Sequence, residues 1–212
     1  MRDAVTAMVE GMDRILEVGP GPVPFPSATE FIDWQAWPEL AGKPVHALDV
    51  NGDPFPFEDK SFDFVYCRHT LEDIYNPVWL CKEMSRVGRA GYVETPSPVA
   101  EYVRGVDPED KPWRGYCHHR HLFWVNQETL MILPKLPIIE WAALPSESHQ
   151  ISILNEGPIF WNTYFFWGGD LNFKLLRHDM EFQILPEYPN LLQEALAWSE
   201  QNNRQLIKRF NF

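Results

Sequence analysis

Two glycines directly after a short apolar run form the first candidate for chemistry in this chain. The run Arg14-Ile15-Leu16-Glu17-Val18 stops at Gly19-Pro20-Gly21. Glycines at this spacing let a backbone bend sharply and approach a ligand, because they carry no Cβ atom. The turn is a candidate nucleotide-type binding site, and a tight turn without a ligand is the alternative.

The prolines around this turn decide which ligand it suits. Pro24 stands where a dinucleotide-binding turn has its third glycine, and the prolines at 20, 22, 24 and 26 have no backbone N–H to hold a phosphate. S-adenosylmethionine has no phosphate, and the carboxylate of Glu17 would attract its ammonium and sulfonium charges. The turn therefore favours S-adenosylmethionine over NAD or FAD.

Histidines supply the candidate proton acceptors. His69 follows a predicted strand, and His119 lies in the run Cys117-His118-His119-Arg120-His121. Imidazole is the natural base near neutral pH, so we take His69 and His119 as candidate catalytic residues. Capping of the next helix is the alternative for His69, and a plain surface loop is the alternative for the second group. Adjacent side chains diverge and no second Cys or His pair follows, so we expect no metal site.

The elements that must position these residues follow an α/β pattern. Apolar runs at 14–18, 45–49 and 62–67 are predicted to be buried strands, because each delivers polar residues at its carboxyl end. Asn76-Pro77 predicts a helix start, with a helix to about residue 87 and a strand at 92–95. Strand, helix and strand in this order predict a parallel sheet, whose carboxyl edge binds ligands.

The later part of the chain has a weaker pattern. We expect residues 99–212 to be irregular and rich in aromatic side chains, to form the substrate side, and to end in a helix over about 190–210 that packs on the sheet. The cofactor-binding half is assigned to residues 14–98. Both halves are predicted to belong to a single domain, residues 1–212.

Composition excludes several classes of protein. Eighteen Lys and Arg against thirty Asp and Glu give a net charge of −12, so we expect no nucleic-acid partner. No apolar stretch reaches the roughly 18 residues of a membrane span, and the first 14 residues lack the core of a secretory signal. Three scattered cysteines fit a reducing compartment. We therefore expect a soluble cytoplasmic protein.

Further segments carry a resemblance to a known family. They are Pro56-Phe57-Glu58-Asp59-Lys60-Ser61-Phe62-Asp63-Phe64-Val65, His69-Thr70-Leu71-Glu72-Asp73, Arg86-Val87-Gly88 and Gly91-Tyr92-Val93-Glu94-Thr95-Pro96. With the glycine turn, residues 14–98 resemble the class I S-adenosylmethionine-dependent methyltransferases of the small-molecule, ubiquinone-biosynthesis-like group (methyltransferase type 11). The resemblance implies a Rossmann-like sheet, mostly parallel, with helices on both faces.

The resemblance also implies roles for residues at the strand ends. Glu17, Gly19, Pro20 and Gly21 would face the methionine moiety, Asp33 the ribose hydroxyls, Trp34, Asp49 and Val50 the adenine, and Cys67, Arg68 and His69 the sulfonium and the substrate entrance. The implied activity is methyl transfer from S-adenosylmethionine to a small-molecule acceptor, leaving S-adenosylhomocysteine. A catalytically silent protein of the same fold, which binds the cofactor or a partner, is the alternative.

Three features depart from the family pattern. The third glycine is missing, Asp73 replaces a frequent histidine, and only about ten residues separate Gly19 from the predicted second strand at 28–33. The first crossover must therefore be short, with its helix shrunken or absent. A rival interpretation makes Ser27-Ala28-Thr29-Glu30 a capping box that starts a helix to about Trp37, and it moves the ribose contact to Asp49.

Overall fold

The chain folds into two compact units. The computed structural model describes residues 1–35, 40, 42–107, 112–141, 147–176 and 186–210. The first unit comprises Met1–Glu94 and Phe165–Asn172, and the second comprises Thr95–Tyr164 and Phe173–Phe212. The single domain expected over residues 1–212 stays a prediction.

A six-stranded sheet forms the centre of the first unit. Its strands are β1 (Ile15–Val18), β2 (Glu30–Asp33), β3 (Val45–Ala47), β4 (Phe64–Arg68), β5 (Ala90–Pro96) and β8 (Asn162–Gly168). Their order in the sheet is β3-β2-β1-β4-β5-β8. The four pairings among β1 to β5 are all parallel. This doubly wound order confirms the predicted α/β fold class.

Helix α2 begins and ends where the sequence predicts. It spans Pro77–Val87, and the side chain of Asn76 accepts a hydrogen bond from the N–H of Trp79. Its apolar side chains Leu80, Met84 and Val87 are fully buried. Gly91 follows in β5, where an added Cβ would lie 2.5 Å from the ring of Trp167. The absence of a side chain at this position therefore lets β8 pack closely against β5.

The connection between β1 and β2 contains no helix. Residues 19–29 form turns and extended chain, and Phe25 is buried with its ring stacked on Tyr66 at 4.3 Å. The short crossover is thus confirmed. The rival helix from Ser27 is wrong, because Glu30–Asp33 pairs with β1 as a strand; residues 36–39 lie outside the described part. One further helix, α1 (Arg2–Met8), precedes β1 and was not predicted.

The second unit contains a three-stranded sheet and the remaining helices. Its strands are β6 (His121–Asn126), β7 (Thr129–Pro134) and β9 (Phe173–Leu175), and its α-helices are α3 (Pro98–Tyr102), α4 (Glu147–Glu156) and α5 (Tyr188–Phe210). Residues 137–140 and 158–161 form short 3-10 helices. β6 and β7 are antiparallel neighbours, and β9 joins β7 in parallel. This region is therefore more regular than its sequence indicates.

The packing surface predicted for the final helix is wrong. We expected α5 to pack on the parallel sheet, but its buried residues Leu192, Ala195 and Leu196 share one core with Leu122 and Trp124 of β6. That core belongs wholly to the second unit. An amphipathic pattern identifies the apolar face of a helix but not the surface that covers it. None of the helices within the described ranges combines the length and apolarity that a membrane crossing requires.

Candidate active site

The strand register brings the predicted cofactor residues to one edge of the sheet. Val18 pairs with Ile32 on one side and with Cys67 on the other, and Asp33 pairs with Ala47. The residues that follow these positions therefore leave the sheet together at its carboxyl edge. Eleven predicted residues lie in this unit, at or just beyond the strand ends: Glu17, Gly19, Pro20, Gly21, Asp33, Trp34, Asp49, Val50, Cys67, Arg68 and His69.

The first glycine of the turn is fixed by close contact as well as by conformation. Gly19 has φ +69°, and an added Cβ would lie 2.1 Å from Oγ1 of Thr70. Its N–H donates to the carbonyl of Ile32 over 2.9 Å, which ties the turn to β2. Gly21 has φ +56° with open space around it, and Pro20 between them is buried. A side chain at Gly19 would collide, whereas one at Gly21 would only strain the backbone.

The side chain of Glu17 is buried near the turn and is hydrogen-bonded to the protein backbone. Its Oε2 accepts a hydrogen bond from the N–H of Phe25 over 2.7 Å, and the residue is 3% exposed. Burial raises the pKa of Glu17 to about 7, although the Phe25 bond and the charges of Arg2, Arg68 and Lys43 oppose the rise. The carboxylate therefore helps to hold the proline-rich loop.

Aromatic rings cover the same part of the sheet. Glu17, Tyr66 and Tyr92 are register neighbours on β1, β4 and β5, and Phe25 stacks on Tyr66 with an interplanar angle of 3°. The Tyr66 hydroxyl is buried without a hydrogen-bond partner among the described residues. Burial and the nearby Glu94 carboxylate raise the pKa of Tyr66. The aromatic ring of Phe25 thus covers Tyr66 on the sheet.

A polar network lies at the ends of β4 and β5. Arg68 Nε donates to Glu94 Oε1 over 3.2 Å, and Tyr92 donates its hydroxyl hydrogen to Glu94 Oε2. His69 adopts φ +51°, with Nδ1 3.2 Å from Glu72 Oε1 and Nε2 3.8 Å from Glu94 Oε1. Left-handed backbone is uncommon outside glycine and is concentrated at functional sites. His69 is about one-third exposed between two buried carboxylates.

Cys67 sits deeper than its neighbours. It is 1% exposed, and burial raises the pKa of its thiol well above the ordinary value. Glu72 and Cys81 lie close enough to raise the pKa further. A buried, protonated thiol is unreactive.

The acids after β2 and β3 are accessible. Asp33 is partly buried and its Oδ1 accepts a hydrogen bond from the N–H of Gln35 over 3.0 Å. The next residue, Trp34, is 76% exposed. Asp49 is exposed and Val50 is buried. Hydrogen bonds from the backbone and side chain of Asn51 lower the pKa of Asp49.

The second candidate base, His119, belongs to the second unit. Its Nδ1 lies 2.5 Å from Glu101 Oε1, and Lys135 Nζ lies 2.5 Å from Glu101 Oε2. All three side chains are more than nine-tenths buried. Lys135 also donates to the carbonyl of Tyr116 over 2.7 Å. A carboxylate held in this way fixes the orientation of an imidazole ring.

Sequence reasoning missed several of these partners. Glu94, Glu101 and Lys135 complete the surroundings of predicted residues through contacts between distant elements, whereas Asn51 contacts Asp49 within one turn. Glu94 carried a usable signal, because it lies at the carboxyl end of a predicted strand. Asp49 and Asn51 carried the signal of an Asx turn, in which an Asp side chain accepts from the backbone two residues on. Glu101 and Lys135 carry no local signal.

One family model matches part of the first unit. The sequence profile of the family described as "Methyltransferase domain" matches residues 33–93. No curated protein matches the chain.

Solved structures similar to this chain include three methyltransferases. One from Aquifex aeolicus is 21% identical, with a TM-score of 0.35, over 46% of this chain and 64% of its own. One from Mesorhizobium loti is 15% identical, with a TM-score of 0.39, over 66% and 69%. A putative methyltransferase of Haloferax volcanii, in complex with the activator Trm112, is 12% identical, with a TM-score of 0.43, over 80% and 89%.

The chain spans less than two thirds of the Aquifex protein. The family match runs from the last residue of β2 into β5 and includes β3, β4 and α2. The strand order is that of a doubly wound nucleotide-binding fold. Over residues 33–93 the chain is therefore similar to methyltransferase domains.

Proposed function

We propose that this chain binds S-adenosylmethionine at the carboxyl edge of its parallel sheet and transfers the methyl group to a small-molecule acceptor. The observation that carries the proposal is the placement of the Gly19 turn, Asp33 and Asp49 at the carboxyl ends of three adjacent strands. S-adenosylhomocysteine would be the product. The cofactor supplies an already activated methyl group, so the protein must mainly align the reactants and exclude water.

The residues at this edge suit the cofactor chemically. Gly21 has open space beside it for close approach of a ligand, and the prolines near it remove the N–H groups that a pyrophosphate would need. In this proposal Glu17, Gly19, Pro20 and Gly21 hold the methionine end. Asp33 accepts the ribose hydroxyls, since a carboxylate offers two acceptor oxygens for two donors.

The adenine and the sulfonium of the cofactor are proposed to contact residues at the ends of the neighbouring strands. Trp34 and Val50 would contact the adenine ring, and Asp49 would accept its amino group. The exposed indole of Trp34 supports this assignment, because an aromatic ring that is open to solvent can stack on a purine. Cys67, Arg68 and His69 would border the sulfonium and the acceptor.

Two histidines are proposed as proton acceptors. His69 is bordered by Glu72 and Glu94, and His119 is held by Glu101. Glu72 can receive the Nδ1–H of His69 and Glu101 the Nδ1–H of His119, so that each ring would accept a proton at Nε2. An acceptor hydroxyl or carbon acid needs such a base, and we expect His69→Gln or His119→Gln to lower turnover about 100-fold or more.

Calorimetry tests the cofactor half of the proposal. S-adenosylmethionine and S-adenosylhomocysteine should bind, and NAD should not. Binding of NAD with micromolar affinity would contradict the proposal. Asp33→Ala should weaken S-adenosylhomocysteine binding by about 1 to 3 kcal/mol, since buried partners lose their acceptor. The exposed Asp13, which precedes β1 at the opposite edge, provides a matched control, and Asp13→Ala should leave binding unchanged.

A second candidate function is cofactor binding without turnover. It is favoured by the Glu17 carboxylate, which is bonded to the N–H of Phe25, and by the lack of a helix after the turn. Under this alternative S-adenosylmethionine binds but no acceptor yields S-adenosylhomocysteine. Release of that product from a panel of hydroxyl, amine and carbon-acid acceptors distinguishes the two functions.

A further inference from the structure

We propose that Asn51 is a positioning residue that aims Asp49 and thereby makes the site select adenine. This inference rests on the proposed function, because it assumes that Asp49 meets the adenine amino group. Asn51 lies in the turn after β3 and was not singled out from the sequence. It bonds to two separate loops of the first unit.

The first set of contacts fixes the acid. Asn51 donates to Asp49 Oδ1 twice, from its backbone N–H over 3.0 Å and from Nδ2 over 2.8 Å. The backbone N–H of Asp49 in turn donates to Asp53 Oδ2 over 2.9 Å. One oxygen of the carboxylate is therefore held by two donors, and the plane of the group is fixed.

The second set of contacts joins the loop after β4. Asn51 Oδ1 accepts the backbone N–H groups of Tyr75 and Asn76 over 2.7 and 3.0 Å. Asn76 Nδ2 donates back to the carbonyl of Asn51 over 3.1 Å. Asn76 also caps α2, so the acid after β3 is tied to the start of a helix. The amide of Asn51 thus joins the two loops.

These contacts have a chemical consequence for the ligand. The two bonds from Asn51 lower the pKa of Asp49, so its carboxylate stays ionised and can only accept hydrogen bonds. An acceptor favours a purine with an amino group at carbon 6 and disfavours one with a carbonyl there. This discrimination needs the carboxylate of Asp49 in one orientation. A carboxylate that could turn away would not be held against the carbonyl oxygen of the wrong purine, and the repulsion between the two acceptors would be lost.

Binding of two analogues tests the inference without any methyl acceptor. Affinities of the full chain are measured for S-adenosylhomocysteine and for S-inosylhomocysteine, which has a carbonyl in place of the amino group. Wild type should prefer the adenine compound about tenfold or more, the size expected for a hydrogen bond to a charged group. Asn51→Ala should reduce that preference at least about fivefold.

Two further variants separate positioning from folding. Asn51→Asp keeps an acceptor for Tyr75 and Asn76 but loses the Nδ2 donor to Asp49, as Asn51→Ala does, and it should reduce the preference in the same way. Asp63 is the matched control, because its Oδ2 also ties two backbone N–H groups, those of Asp13 and Arg14, at the opposite edge. Asp63→Ala should lower the melting temperature and leave the preference unchanged.

The outcomes are distinct. An unchanged preference in both Asn51 variants would overturn the inference while the proposed function stands. An equal reduction in Asp63→Ala would also overturn it, since general loosening would then explain the loss. If wild type binds neither compound, the proposed function fails and the inference fails with it.

Discussion

The buried carboxyl group of Glu17 makes the stability of this chain depend on pH in an unusual direction. Its pKa rises from the ordinary 4.5 to about 7 in the folded chain because burial disfavours the charged form. Between those values the folded chain keeps a proton that the unfolded chain releases. The free energy of unfolding from this group therefore falls as pH rises, and the loss is complete above the folded pKa.

The difference between the folded and unfolded pKa of Glu17 gives the size of the effect on the free energy of unfolding. At 1.36 kcal/mol for each pKa unit, ionisation of Glu17 costs about 0.8 kcal/mol at pH 5 and about 3 kcal/mol at pH 8. Glu17→Gln removes the titration but keeps an oxygen that can accept from the Phe25 N–H. Relative to wild type, the variant should therefore gain about 2.5 kcal/mol of unfolding free energy between these two pH values.

Urea unfolding of both proteins at several pH values measures this difference. Taking the difference cancels the titration of every other group. Glu10→Gln is the control, because Glu10 is exposed, and its difference from wild type should stay within about 0.5 kcal/mol at each pH. A difference for Glu17→Gln that does not rise with pH would refute the assignment of a desolvated carboxyl group.

Three further predictions follow from the same contacts. Gly19→Ala should lower the free energy of unfolding by about 2 to 4 kcal/mol, because the added Cβ would strain the backbone at positive φ and would collide with Thr70. Gly21→Ala, which has open space around it, should lower it by only about 1 to 2 kcal/mol. Urea unfolding measures both values. Lys135→Met should cost about 3 to 5 kcal/mol by leaving the Glu101 carboxylate buried without its lysine, whereas the exposed Lys174→Met should cost little. S-adenosylmethionine should bind more tightly at pH 8 than at pH 6, because its sulfonium favours ionised Glu17, and calorimetry should show proton release. An equal pH dependence for S-adenosylhomocysteine, which has no sulfonium, would contradict the last prediction.

Local signals explain which elements the sequence predicts well. Asn76-Pro77 at one end and Gly88 at the other fix α2 to the residue, since a cap and a proline act within one turn. β1 is equally clear, because four buried residues end at a glycine. β6 and β7 were missed because the turn between them uses Gln127 at φ +57°, where glycine or asparagine would have indicated a hairpin.

The site was predictable only in part for a related reason. Strand ends can be located from apolar runs, and these place Gly19, Asp33 and Asp49 at one edge. The partners that orient the functional groups come from elsewhere in the fold. Lys135 reaches Glu101 from 34 residues away, and Phe25 reaches Glu17 across a loop without periodicity. Such contacts depend on tertiary packing, which no local pattern encodes.

The close packing of Gly91 against Trp167 has a consequence for synthesis of the chain. β8, which carries Trp167, is the neighbour of β5 in the sheet, although about 70 residues separate the two strands. At translation rates of 5 to 20 residues per second, β8 is synthesised roughly 4 to 15 s after β5. During that interval the backbone groups on the side of β5 away from β4 are unpaired, and the apolar surface around Gly91 is open. The nascent first unit is thus most exposed to aggregation between the emergence of β5 and that of β8.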